Sequence, residues 1–119
     1  MHTKDFTHID YDLISELVYG EKKYIKEFAE ATEQSFTEFK TNYRKYLLQR
    51  DETNFRKAGH KIKPVAQMLN INSVVEEYEH AKRLIWDDED QEKLEKSVIK
   101  IEEICDQIIH ELDVIQENM

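Results

Sequence analysis

The sequence predicts an all-α protein, an up-and-down antiparallel four-helix bundle with a short N-terminal capping helix. Three observations predict it. The 119 residues include only two glycines and one proline, too few breakers for a fold rich in strands and turns. Apolar residues recur every three or four positions through four long stretches, the spacing that gathers side chains on one face of a helix. The gaps between those stretches are a few residues long, so consecutive helices must lie side by side and run in opposite directions.

Taken in order, Asp10 is an N-cap for a helix over 11–19 that carries Leu13, Ile14, Leu17 and Val18, and Gly20 stands where a helix end favours left-handed backbone. From Glu21 to about residue 49, a long helix places Ile25, Phe28, Thr32, Phe36, Phe39, Tyr43 and Leu47 on one face. Asp51 caps the next, whose stripe is Phe55, Ala58, Ile62, Val65, Ala66 and Leu69. Asn70 and Asn72 interrupt the pattern. Ser73 with Glu76 three residues later has the form of a capping box, opening a helix with Val74, Tyr78, Ala81 and Ile85 that stops near Trp86. The acidic run Asp87, Asp88, Glu89, Asp90 suits the positive end of a final helix with a seam at Leu94, Val98, Ile101, Cys105, Ile108, Leu112 and Ile115. Such a seam also suits a coiled-coil dimer. The apolar faces of the other helices need this one as their partner, which favours a monomer and a single domain over 1–119.

A net charge of −9 argues against nucleic acid and anionic membrane as partners, since both reward basic surfaces. The single cysteine, Cys105, cannot form an internal disulfide, no charged leader with a following apolar run opens the chain at Met1, and no long apolar run follows. A cytoplasmic protein is the expectation.

Against this acidic background, residues 53–75 contain no carboxylate. Arg56, Lys57, Lys61 and Lys63 give the stretch a charge of +4, leaving −13 for the remainder. At 100° per residue His60 points nearly opposite its helix's apolar stripe, towards solvent, with Arg56, Lys57, Lys63, Pro64 and Gln67 around it. A basic field about an exposed imidazole suits an anionic visitor; a chance cluster of charge is the plainer alternative. Gly59 and Pro64 both disfavour a helix interior, by about 1 and about 3 kcal/mol. A bare backbone at Gly59 and a kink at Pro64 would open a space for another protein to approach the imidazole, unless Pro64 simply starts a separate helical segment.

The stretch "AGHKIKPVAQMLNI" resembles the pattern of histidine-containing phosphotransfer (HPt) domains, through Ala58, His60, Ile62, Lys63, Ala66 and Leu69. The likeness extends over most of the chain, since "YGEKKYIKEF" ahead of a long helix and an acidic-capped last helix match that family's order of elements. Pro64 departs from it, standing where the family usually has glycine, and Gly59 is a lesser oddity. The resemblance implies four antiparallel helices plus a cap. It implies a phosphoryl carrier rather than an enzyme, with His60 as phosphoacceptor between receiver-domain aspartates of response regulators or hybrid histidine kinases. Lys63 would pair with the phosphoryl oxygens, and Lys82 is a weaker candidate for the same rim. Arg56, Lys57, Gly59, Pro64 and Gln67 would form the receiver-docking surface. No cofactor or metal is needed on this chain, because magnesium and the acidic pocket would belong to the receiver. Imidazole chemistry agrees: its free nitrogen is nucleophilic near neutral pH, and the phosphoramidate it forms passes its group onward. A bundle that binds receivers or kinases without transferring phosphate is the alternative, kept open by Pro64.

Other candidates are poorer. His80 and His110 lie off their apolar stripes and read as surface histidines, His110 among Glu103, Asp106, Glu111 and Asp113, which would repel phosphate. Glu77 and His80 have a Glu-x-x-His spacing, but a di-iron bundle needs a second copy, and none exists. Cys105 on the last seam reads as a small buried hydrophobe. His2 and His8 lie near a terminus expected to be mobile.

Overall fold

Side-chain caps and left-handed turns divide the chain into five helices, α1 (Tyr11–Leu17), α2 (Lys22–Leu48), α3 (Glu52–Met68), α4 (Asn72–Trp86) and α5 (Gln91–Glu117). The computed structural model describes residues 6–119, and among these there is no strand. Asp10, Asp51 and Asp90 each accept a hydrogen bond from the backbone N–H three residues on, capping α1 and α3 as expected and α5 from the end of the acidic run. α1 ends two residues short of its expected end, because Tyr19 and Gly20 both adopt left-handed backbone, with φ of 58° and 73°. The later turns use Arg50, Asn70 and Asp88 in the same region. For Arg50 this conformation costs about 1–2 kcal/mol, and its guanidinium reaches across to Asp88 and to the Glu89 carbonyl. The α2–α3 and α4–α5 turns are thereby tied together.

The capping box expected at Ser73 and Glu76 does not form. α4 begins at Asn72 with Ile71 at the N-cap, and no side chain caps it. Ile71 is buried, so packing rather than a cap sets where the helix starts, and the Ser73 hydroxyl is left without a partner.

α2 packs against α5 and α3, α3 against α4, and α4 against α5, while α1 touches α2. At 27 residues each, α2 and α5 are about 40 Å long and run most of the 47 Å length of the molecule. All seven seam residues of α5 are fully buried. An aromatic column crosses the core from α2 to α4: Phe39 on Tyr43 (5.4 Å between ring centroids), Tyr43 on Phe55 (4.9 Å) and Phe55 on Tyr78 (5.1 Å). Each pair adds about 0.5–1.5 kcal/mol beyond the area it buries.

His2 lies outside the described residues. His8, expected near a mobile end, is instead held in place. The buried carboxylate of Glu111 on α5 accepts from the backbone N–H groups of Thr7, His8 and Ile9 at 2.8–2.9 Å, and His8 Nε2 bonds Gln107 at 2.8 Å. Among the described residues no helix is long and apolar enough to cross a membrane.

Candidate functional site

α3 buries Phe55, Ala58, Ile62, Ala66 and Leu69 and turns His60 outward, so the imidazole is exposed as the helical spacing predicts. Arg56, Lys57, Pro64 and Gln67 are exposed on the same helix. α3 is one continuous helix from Glu52 to Met68 with Pro64 inside it, so the proline does not start a separate segment. Having no N–H, Pro64 leaves the His60 carbonyl without its usual helical donor.

Gly59 departs from expectation. It is buried, and the space it was expected to open outside is on the inner side and filled. A Cβ built there would lie 1.9 Å from Cζ of Tyr78, so the glycine is what lets that ring lie directly on α3. Gly59 therefore offers no docking surface; it seats a core tyrosine beside the histidine. The Tyr78 hydroxyl donates to the Arg56 carbonyl at 3.4 Å, and burial, then the charge of Glu79, pushes its phenol up to about 12.

Above this ring two lysines from different helices meet. Lys63 Nζ lies 5.5 Å and Lys82 Nζ 5.1 Å from the ring centroid, a cation–π arrangement for each. Both also bind one carboxylate, Glu79: Lys63 from α3, and Lys82 at 2.7 Å from the next turn of α4. Lys63, foremost, and Lys82 hold the Glu79 carboxyl below the usual glutamate range. The structure thus brings Lys82 of α4 together with Lys63, which follows His60 by one turn of α3, on a platform made by Gly59 and Tyr78. Beside them Arg56, Glu79, Lys82, Arg83 and the largely exposed Trp86 line an open groove between α3 and α4.

The basic field expected around His60 is mostly neutralised in space. Arg56 pairs with Glu52 at 2.9 Å, Lys61 with Glu38 of α2 at 2.7 Å, and Lys63 with Glu79. Lys57 alone of the four has no ion-pair partner among the described residues. What survives is local: the charge of Lys57, and two ammonium groups sharing a single carboxylate.

The other candidates fall apart in three dimensions. His80 and His110 are exposed, and Glu77 turns away from His80 into the core. There Ser97 donates to Glu77 at 2.6 Å, the Tyr43 hydroxyl bonds Ser97 at 2.7 Å and donates to the Glu77 carbonyl at 3.2 Å, and Lys100 pairs with the other carboxylate oxygen at 3.1 Å. Burial pushes the Tyr43 phenol up, and it raises the thiol of fully buried Cys105 to about 12, away from the exposed thiolate that a nucleophilic cysteine needs. Among the described residues no group of three or more His, Cys, Asp or Glu side chains is placed to hold a metal ion.

Two members of the cluster, Tyr78 and Glu79, were not legible as site residues. Tyr78 reads as a core position on its stripe. Glu79 is three residues before Lys82, a spacing that signals an ion pair but not that Lys63 joins it from another helix. Comparison with family models, with curated proteins and with solved structures finds no match to this chain.

Proposed function

We propose that the chain is a single-domain phosphoryl carrier of the histidine-containing phosphotransfer type, with α2–α5 as an up-and-down antiparallel four-helix bundle and α1 capping one end. The cyclic order of helix pairing and the tie between the α2–α3 and α4–α5 turns support that topology. One observation carries the functional reading: the exposed imidazole of His60 stands on the outer face of α3, one turn from Lys63, whose ammonium group shares Glu79 with Lys82.

In the transfer, the unprotonated ring nitrogen of His60 attacks the phosphorus of an aspartyl phosphate on a receiver domain. A P–N bond forms, the P–O bond to the aspartate breaks, and the aspartate leaves as a carboxylate; passing the group onward reverses these changes. Lys63, with Lys82 behind it, balances the phosphoryl charge. Arg56, Lys57, Pro64 and Gln67 surround the imidazole where a receiver would dock. The receiver supplies magnesium and its acidic pocket, so this chain works as a cytoplasmic monomer without a cofactor of its own.

Incubation with a phosphorylated receiver tests the proposal. Wild-type protein should gain acid-labile, base-stable label, His60→Gln should gain none while keeping its helical signal, and Lys63→Ala should label more slowly. Undiminished labelling of His60→Gln sinks the carrier reading. Pro64 and the engagement of Lys63 by Glu79 favour a second reading, a bundle that binds receivers without transfer. Binding of a receiver without label on the wild type would establish that one.

A further inference from the structure

The geometry points to Glu79 as a built-in competitor for the anion-binding groups beside His60: its carboxylate occupies Lys63 and Lys82 when the site is empty and must yield them to a phosphoryl group. The inference rests on the carrier reading for its biological meaning, but the competition itself can be measured without it.

Three features set Glu79 apart from an ordinary surface ion-pair partner. First, it draws one lysine from each of two helices, so a single carboxylate closes the seam between α3 and α4. Second, both lysine side chains are already partly packed away, with exposures of 31% for Lys63 and 21% for Lys82, and both ammonium groups lie over the Tyr78 ring. They are therefore pre-placed, and little side-chain freedom is left to lose when an anion arrives. Third, Lys63 follows His60 by one helical turn, which puts their Cβ atoms roughly 5–6 Å apart, so a group on the imidazole reaches the same ammonium that Glu79 holds.

Charge then decides how tightly the site holds its cargo. Two lysines and Glu79 sum to +1; with a phosphoryl dianion on His60 the cluster stands at −1, and the carboxylate and phosphoryl oxygens repel across the shared lysines. With glutamine at 79 the same cluster is neutral. Glu79 thus keeps the phosphorylated state poised to lose its group, which a carrier requires, and keeps the lysines ordered while empty. Its role is to position and to tune, not to touch phosphorus.

The test uses the full chain in two arms. In the first, inorganic phosphate is titrated into unphosphorylated protein and followed by the NMR shifts of the His60 ring and the backbone amides around it, probes that every variant keeps. Glu79→Gln should bind phosphate about three- to tenfold more tightly than wild type. Glu79→Asp, which keeps the charge, should fall back towards wild type, and adding Lys63→Ala and Lys82→Ala should erase the gain. In the second, His60 is phosphorylated with phosphoramidate, whose P–N bond is exchanged for one to the imidazole as ammonia leaves. The lifetime of the phosphohistidine should lengthen in Glu79→Gln by a similar factor. A role for Glu79 limited to folding would change the melting temperature of Glu79→Gln and leave phosphate affinity unchanged; unchanged or weaker phosphate binding overturns the inference. Labelled His60 with equal lifetimes in wild type and Glu79→Gln also overturns it and leaves the carrier reading intact. Tighter phosphate binding by Glu79→Gln in a protein whose His60 takes no label would uphold the competition and remove the carrier reading instead.

Discussion

Two glutamates on α4, separated by one residue, do opposite things with the same chemistry. Glu77 points into the interface with α2 and α5, is only 5% exposed, and is held by the Ser97 hydroxyl and Lys100. Glu79 points outward to α3, has a side chain 37% exposed, and is held by two lysines. Tyr78 lies between them in sequence and fills the core. Residues on either side of a buried helical position diverge by 200° around the axis, so burying Tyr78 sends one carboxylate to each neighbouring seam. The difference shows that environment decides what a carboxylate is for. The one enclosed with fixed partners specifies packing; the one at the rim, open to solvent and to an incoming anion, can exchange them.

The comparison can be broken most severely at its pivot. Gly59→Ala drives a Cβ into the Tyr78 ring, which is fully buried and has no free end to give way. Despite a gain of about 1 kcal/mol in helix propensity, the variant should lose about 1–3 kcal/mol net by urea unfolding. A variant as stable as wild type would mean that Tyr78 has another place to go, and that the two glutamates do not owe their directions to it.

Next comes Ser97→Ala, which strips a hydrogen bond from the buried oxygen of Glu77 and leaves Tyr43 one partner fewer. The cost should be about 1–3 kcal/mol, because a buried acceptor is left unmet. Glu79→Gln should cost less than about 1 kcal/mol at neutral pH once solvent screening is counted. Its pH dependence has a definite sign. The Glu79 carboxyl is held low by Lys63 and Lys82, so its contribution is present above the ordinary glutamate pKa of about 4.3 and fades as pH falls through the lower folded-state value. The stability gap between wild type and Glu79→Gln should therefore close on acidification, as denaturation curves from neutral pH to about pH 3 would show. A gap that stayed constant or widened would contradict the assignment. The smallest effect, about 0.3–0.5 kcal/mol, belongs to Arg56→Ala, which removes an exposed pair with Glu52 one turn away. It sets the baseline for an ordinary surface ion pair, which a carboxylate shared by two lysines should exceed.

Where each helix lies and which way His60 faces were legible in the sequence, because both depend on one number, the 3.6-residue period. The α5 seam from Leu94 to Ile115 is the clearest case, with every residue in the stripe buried. What the period cannot report is which helix lies opposite. Residues 53–75 look unopposed in charge along the chain, yet Glu38 arrives from α2 and Glu79 from α4 to meet their lysines. Gly59 was misread for the same reason: a missing side chain says that something comes close, not from which side. Ser73 failed as a cap because the burial of Ile71 outweighed a hydrogen bond that the local pattern favoured.

The grip of Glu111 on Thr7, His8 and Ile9 spans 102 to 104 residues of sequence. Closing so long a loop is entropically costly, and the contact belongs to no helix that could nucleate it locally. It should be among the last to form when the chain folds and among the first to let go. These three amides, lying before the first helix, would ordinarily exchange their hydrogens with solvent at once; held by one carboxylate, they should exchange slowly and together. Their common rate would report how often the N-terminal segment lifts off α5 while the rest of the molecule stays folded.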